Sequence, residues 1–107
     1  MESKMTQIDR IRQMEECLDA SAAAVEKLGA ALKEYEAVQK QYKKLSDYYG
    51  SPRWMKDFED DEAGKLPQDL KRGVLSEDAV YDLITENREL VIRMLKLSAR
   101  ALEDSVL

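Results

Sequence analysis

Histidine is absent from this chain, and cysteine, tryptophan and phenylalanine occur once each. Without imidazole there is no Ser-His or Cys-His nucleophile pair, no histidine acid or base, and no histidine-containing zinc or iron site. The lone Cys17 excludes an intramolecular disulfide and a cysteine cluster for zinc. Any chemistry would have to run on carboxylates, lysine or tyrosine. No run of about 18 apolar residues occurs, and the first residues lack the apolar centre of a signal peptide, so neither membrane insertion nor secretion is expected. A cytoplasmic protein follows from that. Basic excess is missing too: the formal net charge is −5. This disfavours nucleic acid and anionic lipid, which are held largely by Lys and Arg on phosphate.

What the chain has in plenty is helix-forming material. Its 107 residues are 36% charged and 44% hydrophobic, with four glycines and two prolines. This composition favours one folded helical domain, 1–107, over a disordered chain. No strand-like alternation occurs. Apolar residues recur every three or four positions through Ile8, Ile11, Met14, Leu18, Ala22, Val25, Leu28, Leu32, Tyr35, Val38, Tyr42, Leu45 and Tyr49. That spacing predicts a single amphipathic helix over about 7–46, with Thr6 and Asp9 forming a capping box at its start. A second stripe, Val80, Leu83, Ile84, Asn87, Leu90, Val91, Met94, Leu95, Ser98, Ala101 and Leu102, predicts a helix over about 77–102. Ser76 suits its N-cap, and Leu75 can reach Val80 as a hydrophobic staple. Asn87, on that stripe, reads as a residue fixing helix register.

The connector, about 47–75, carries its own signals. Ser51-Pro52 places a cap before a proline at the first helical position, Trp54, Met55 and Phe58 give a short apolar face, and Gly64 suits the end of that helix. Pro67 is expected to start a further turn bearing Leu70, closed by Gly73. Two long helices joined in this way predict an all-α antiparallel helical hairpin. Tyr42, Tyr48, Tyr49, Trp54, Phe58 and Tyr81 would gather near its turn. The first helix would be about 60 Å long and the second about 39 Å, leaving about 20 Å uncovered at the N-terminal end. Ile8, Ile11, Met14 and Leu18 lie there. Covering them with a second copy predicts a homodimer closing into a four-helix bundle.

Each polar or aromatic cluster has a functional reading and a plain one. The acids Asp57, Glu59, Asp60, Asp61 and Glu62 invite a divalent-metal site. An EF-hand loop begun at Asp57 would put Glu62 at the glycine position and Gln68 at the bidentate position, so that motif fails. A solvated, locally capped face is expected instead, and no metal or cofactor. Lys71 and Arg72 could hold a phosphate, but Ser76, Glu77 and Asp78 put negative charge where it would dock, so the pair is expected to meet the acidic run or Asp69. Trp54 and Phe58 are read as core before platform, with Asp57 or Asp61 as acceptor for the indole N–H. Trp54, Asp57, Phe58, Asp61, Lys71 and Arg72 are thus the candidates for a partner surface or for a structural clasp. No enzymatic activity is expected. The alternative is a carboxylate-based metal binder or enzyme using Asp57 and Asp61. Cys17 beside Leu18 reads as a spectator, since no clear cationic setting surrounds it.

The series Tyr48-Tyr49, Trp54, Asp57, Asp61, Gly64, followed by "LPQDLKRGVLSEDAVY" from Leu66 to Tyr81, resembles a family of short bacterial proteins known as domain of unknown function 4298. The likeness runs from about Thr6 to Ser98. Met1 to Lys4 then reads as a leading extension, and Ala99 onward as a tail. It implies a small, cytoplasmic, bacterial helical protein with no activity or site residues to carry over. The expected role is a self-associating interaction or scaffold module that presents its connector to an unidentified protein partner.

Overall fold

The computed structural model describes residues 5–105. Met1 to Lys4, expected as a leading extension, lie outside them. The described residues form α-helices and one 3₁₀ turn, with no strand among them. In chain order these are α1 (Gln7–Ala37), α2 (Gln39–Tyr48), α3 (Pro52–Glu62), the 3₁₀ turn (Gly73–Leu75) and α4 (Ala79–Asp104). The chain divides into two compact units, one up to Lys40 and one from Gln41 onward.

The first unit is dominated by α1. Thr6 caps it: its backbone is extended and its Oγ1 accepts from the Asp9 N–H at 3.1 Å, which satisfies one of the orphan donors of the first turn. The expected stripe is present, yet no residue of α1 is buried. Exposure is not confined to Ile8, Ile11, Met14 and Leu18. It continues through Val25, at 70%, to Leu28 and Leu32.

The single helix expected over 7–46 is instead interrupted at Val38, where φ is −99° and ψ is 3°. The Val38 N–H still reaches the Glu34 carbonyl at 3.3 Å. One residue on, the side-chain amide of Gln39 donates to the Tyr35 carbonyl at 3.2 Å, the acceptor that a continuous helix reserves for the Gln39 backbone N–H. A β-branched residue followed by a competing side-chain donor therefore marks the break.

The second unit joins short pieces through capped turns ahead of the long α4. Gly50 follows α2 with φ at +78°, a conformation that costs any residue with a Cβ. Ser51 then caps α3, its Oγ accepting from the Trp54 N–H at 3.2 Å, with Pro52 at the first helical position. At the far end Gly64, with φ at +71°, closes a Schellman motif. Its N–H reaches the Asp61 carbonyl at 3.0 Å, and the Lys65 N–H reaches that of Asp60 at 2.9 Å.

The turn expected from Pro67 does not become a helix. Leu70 N–H reaches the Pro67 carbonyl at 3.3 Å and the pattern goes no further, while the Arg72 guanidinium donates to the carbonyls of Pro67 and Gln68. The second brief helical element lies instead at the 3₁₀ turn. Ser76 then sets the start of α4: its Oγ accepts from the Ala79 N–H at 3.2 Å and donates to the Gly73 carbonyl at 2.8 Å. Leu75 and Val80 flank that cap and are both buried, at 6% and 3% exposure, the positions of a hydrophobic staple. With Trp54 they make up the buried core of the described residues.

Candidate functional site

The polar and aromatic candidates lie in or beside the connector, and Trp54 is their centre. Its place four residues before Phe58 on α3 lets the two rings stack, with centroids 5.2 Å apart and planes 18° off parallel. Tyr49, beyond the Gly50 turn, meets the indole edge-on at 5.2 Å and 68°. Both are arrangements that the aromatic quadrupole favours. The indole Nε1–H donates to the Val74 carbonyl at 2.8 Å, not to Asp57 or Asp61 as the sequence suggested. The two acids stand close in sequence, but the ring is turned toward the 3₁₀ turn. The Tyr49 hydroxyl donates to the Glu77 carbonyl at 3.1 Å. One bond each from α3 and from the end of α2 thus ties the aromatic cluster to the segment that starts α4. Tyr81, expected in the same cluster, is 59% exposed and stands outside it.

The two acidic candidates are each engaged by a different partner. Asp57 accepts the Tyr48 hydroxyl at 2.6 Å. Partial burial of the phenol, then the hydrogen bond to Asp57 and the negative charge of that carboxylate, push the Tyr48 pKa up to about 12. Asp61 accepts from the Arg72 Nε at 2.7 Å. The remaining Arg72 nitrogens donate to the Gln68 carbonyl at 3.1 Å and the Pro67 carbonyl at 2.7 Å. One guanidinium therefore holds the end of α3 and both carbonyls of the following turn, a fork that lysine could not reproduce. Among the acids on the other faces of α3, Asp60 meets Lys56 at 3.2 Å and Lys65 at 3.9 Å. No group of three or more acidic or cysteine side chains able to hold a metal ion occurs among the described residues.

Lys71 parts company with Arg72. It enters no ion pair among the described residues and lines an open apolar depression of about 370 Å³ with Leu45, Gly73, Val74, Ala79, Val80 and Leu83. The structure therefore brings Trp54, Phe58, Asp57, Asp61 and Arg72 into one clasp and leaves Lys71 at its edge. Two contributors to the clasp stand outside the candidate set. The aromatic pattern puts Tyr48 near the turn but not against Asp57, although their separation of nine residues across Gly50-Ser51-Pro52 is a usable signal. The Val74 carbonyl carries no side-chain signal at all. Of the remaining candidates, Ile8, Ile11, Met14 and Leu18 lie on α1 and are exposed, and Cys17 beside them is an exposed free thiol. Among the described residues no helix is long and apolar enough to cross a membrane.

No curated protein and no solved structure matches this chain. A family model does, and its description is "Domain of unknown function (DUF4298)". It covers residues 11–97, from the second turn of α1 through the connector to the last third of α4. With most of its length matched, the chain belongs to the DUF4298 family.

Proposed function

We propose that this protein is a non-enzymatic, self-associating interaction module of the bacterial cytoplasm. In this reading α1 and α4 are the arms of an antiparallel helical hairpin, and two copies join along α1 into a four-helix bundle. The connector faces a further protein partner. The observation that carries the reading is the α1 stripe. Ile8, Ile11, Met14, Leu18, Val25 and Leu28 are each more than half exposed on one helix of 31 residues. Apolar surface arrayed in this way is costly in water, at about 25 cal/mol per Å². A second copy is the simplest cover that can supply a matching face.

The connector supports the non-enzymatic part of the reading. Asp57 and Asp61, the carboxylates on which a reaction or a metal would depend, are each bonded to a separate structural partner, Tyr48 and Arg72. The test is mass in solution by light scattering or sedimentation. A dimer at micromolar concentration that falls to a monomer in the Ile11→Ser, Met14→Ser double variant is the expected result. A wild-type chain that stays monomeric across that range would overturn the reading.

A further inference from the structure

Helix α4 carries a charge pattern that its own fold leaves unused. Asp82, Glu86, Glu89, Arg93, Lys96 and Arg100 follow one another at steps of three or four residues, so they share one face. The first three are acidic and the last three basic. All six are exposed, and none enters an ion pair among the described residues, not even Glu89 with Arg93 four positions on. Within one helix this order is unfavourable, because it sets like charges beside like charges on both halves. The helix dipole favours Asp82 in the first turn, but its influence fades within a turn and does not explain the rest.

Beside this face run Leu83, Leu90 and Leu97 at intervals of seven, exposed at 44%, 46% and 57%. Each is preceded by one charged residue of the series and followed three positions later by another, as in the charged edge of a coiled-coil seam.

We infer that α4 pairs antiparallel with the α4 of a second copy along this leucine row. A two-fold axis at Leu90 sets Leu83 against the partner's Leu97, and the acidic half of each charged edge then runs beside the basic half of the other. This rests on the self-association proposed above. To the contact along α1 it adds a second one across the axis, between the two α4 arms, and its direction. A parallel pairing would set acid against acid and base against base.

The test uses two full-length variants, Glu86→Lys with Glu89→Lys, and Arg93→Glu with Lys96→Glu. Circular dichroism checks that each keeps its helix content, and sedimentation measures association. In the antiparallel pairing each variant alone loses affinity for itself by roughly tenfold or more. An equimolar mixture, a largely basic face against a largely acidic one, associates more tightly than either variant alone. In a parallel pairing each reversal merely exchanges one like-charge contact for another and leaves self-affinity unchanged. A wild-type dimer whose two variants self-associate as well as it does, or a mixture that fails to associate, overturns the pairing and leaves the broader reading standing. A monomeric wild type overturns the reading on which it rests.

Discussion

Between Gln7 and Ala37 no residue is buried, whereas the connector and its flanks, within some thirty residues, bury Trp54, Leu75 and Val80. Both stretches carry apolar side chains at helical spacing. The difference lies in how the chain is cut. Helix α1 runs 31 residues without a turn, so its stripe finds nothing nearby in sequence to close against. Around α3, glycines at positive φ follow helices of about three turns, serine caps start the next ones, and the chain comes back on itself. Trp54 thereby meets a carbonyl 20 residues on, and Tyr49 one 28 residues on. Periodicity makes a sticky face, and only turns decide whether the same chain covers it. A long uncut helix is therefore the natural place to look for intermolecular contact, and a finely cut connector the place to look for stability.

That contrast can be broken most severely at its centre. Trp54→Ala removes a stack, an edge contact and the bond to Val74, and is expected to cost about 3 kcal/mol or more in chemical denaturation monitored by circular dichroism. A loss under about 1 kcal/mol would mean that the clasp is not the stabilising element. Next comes Arg72→Ala, which frees three hydrogen bonds at once. Because the side chain is partly open to solvent, the expected loss is about 1 to 2 kcal/mol. Arg72→Lys should recover less than half of it, since one ammonium cannot serve Asp61 and two carbonyls in three directions.

These residues also show how far the sequence could be read. The caps at Thr6, Ser51 and Ser76 and the stop at Gly64 were legible because each is a contact within five residues, fixed by local backbone geometry. The pairing of Arg72 with an acid was legible in kind, from the surplus of acids on α3, though not its choice of Asp61. The acceptor for Trp54 was not, since Val74 accepts through its backbone carbonyl and is chosen by the path of the intervening chain. The break at Val38 has neither glycine nor proline to announce it, and depends on a Gln39 rotamer. The turn at Pro67 stops after one backbone bond, and the Arg72 guanidinium that shares its carbonyl comes from further along the chain, where local spacing gives no sign of it.

A smaller effect separates the two units by pH. In the fold Tyr48 holds its proton up to about 12, above the ordinary value of 10.0. Between those values the unfolded chain gives up the proton while the native chain keeps it, so the unfolded state binds fewer protons and stability falls as pH rises. The stabilisation is complete below about pH 10 and is lost through pH 12. Tyr48→Phe should cost about 0.5 to 1.5 kcal/mol at neutral pH and flatten that alkaline decline. Near-ultraviolet circular dichroism, reporting the aromatic clasp, is the measurement. An unchanged decline in the variant would show that other tyrosines control it.

The smallest effect on the fold is expected on the exposed stripe of α1. Leu18→Ser on α1 removes an apolar side chain that is 60% exposed, so a monomeric chain should lose no more than about 0.5 kcal/mol. Under conditions that favour association the same change should cost several times more, because the leucine is then covered. Comparing denaturation midpoints at low and high protein concentration isolates the second term, since only an associating protein gains stability with concentration. If the wild-type midpoint rises with concentration and that of Leu18→Ser does not, α1 is the element that waits for cover. If both rise equally, the stripe around Leu18 stays in water even in the assembly, and the cover must be sought on α4.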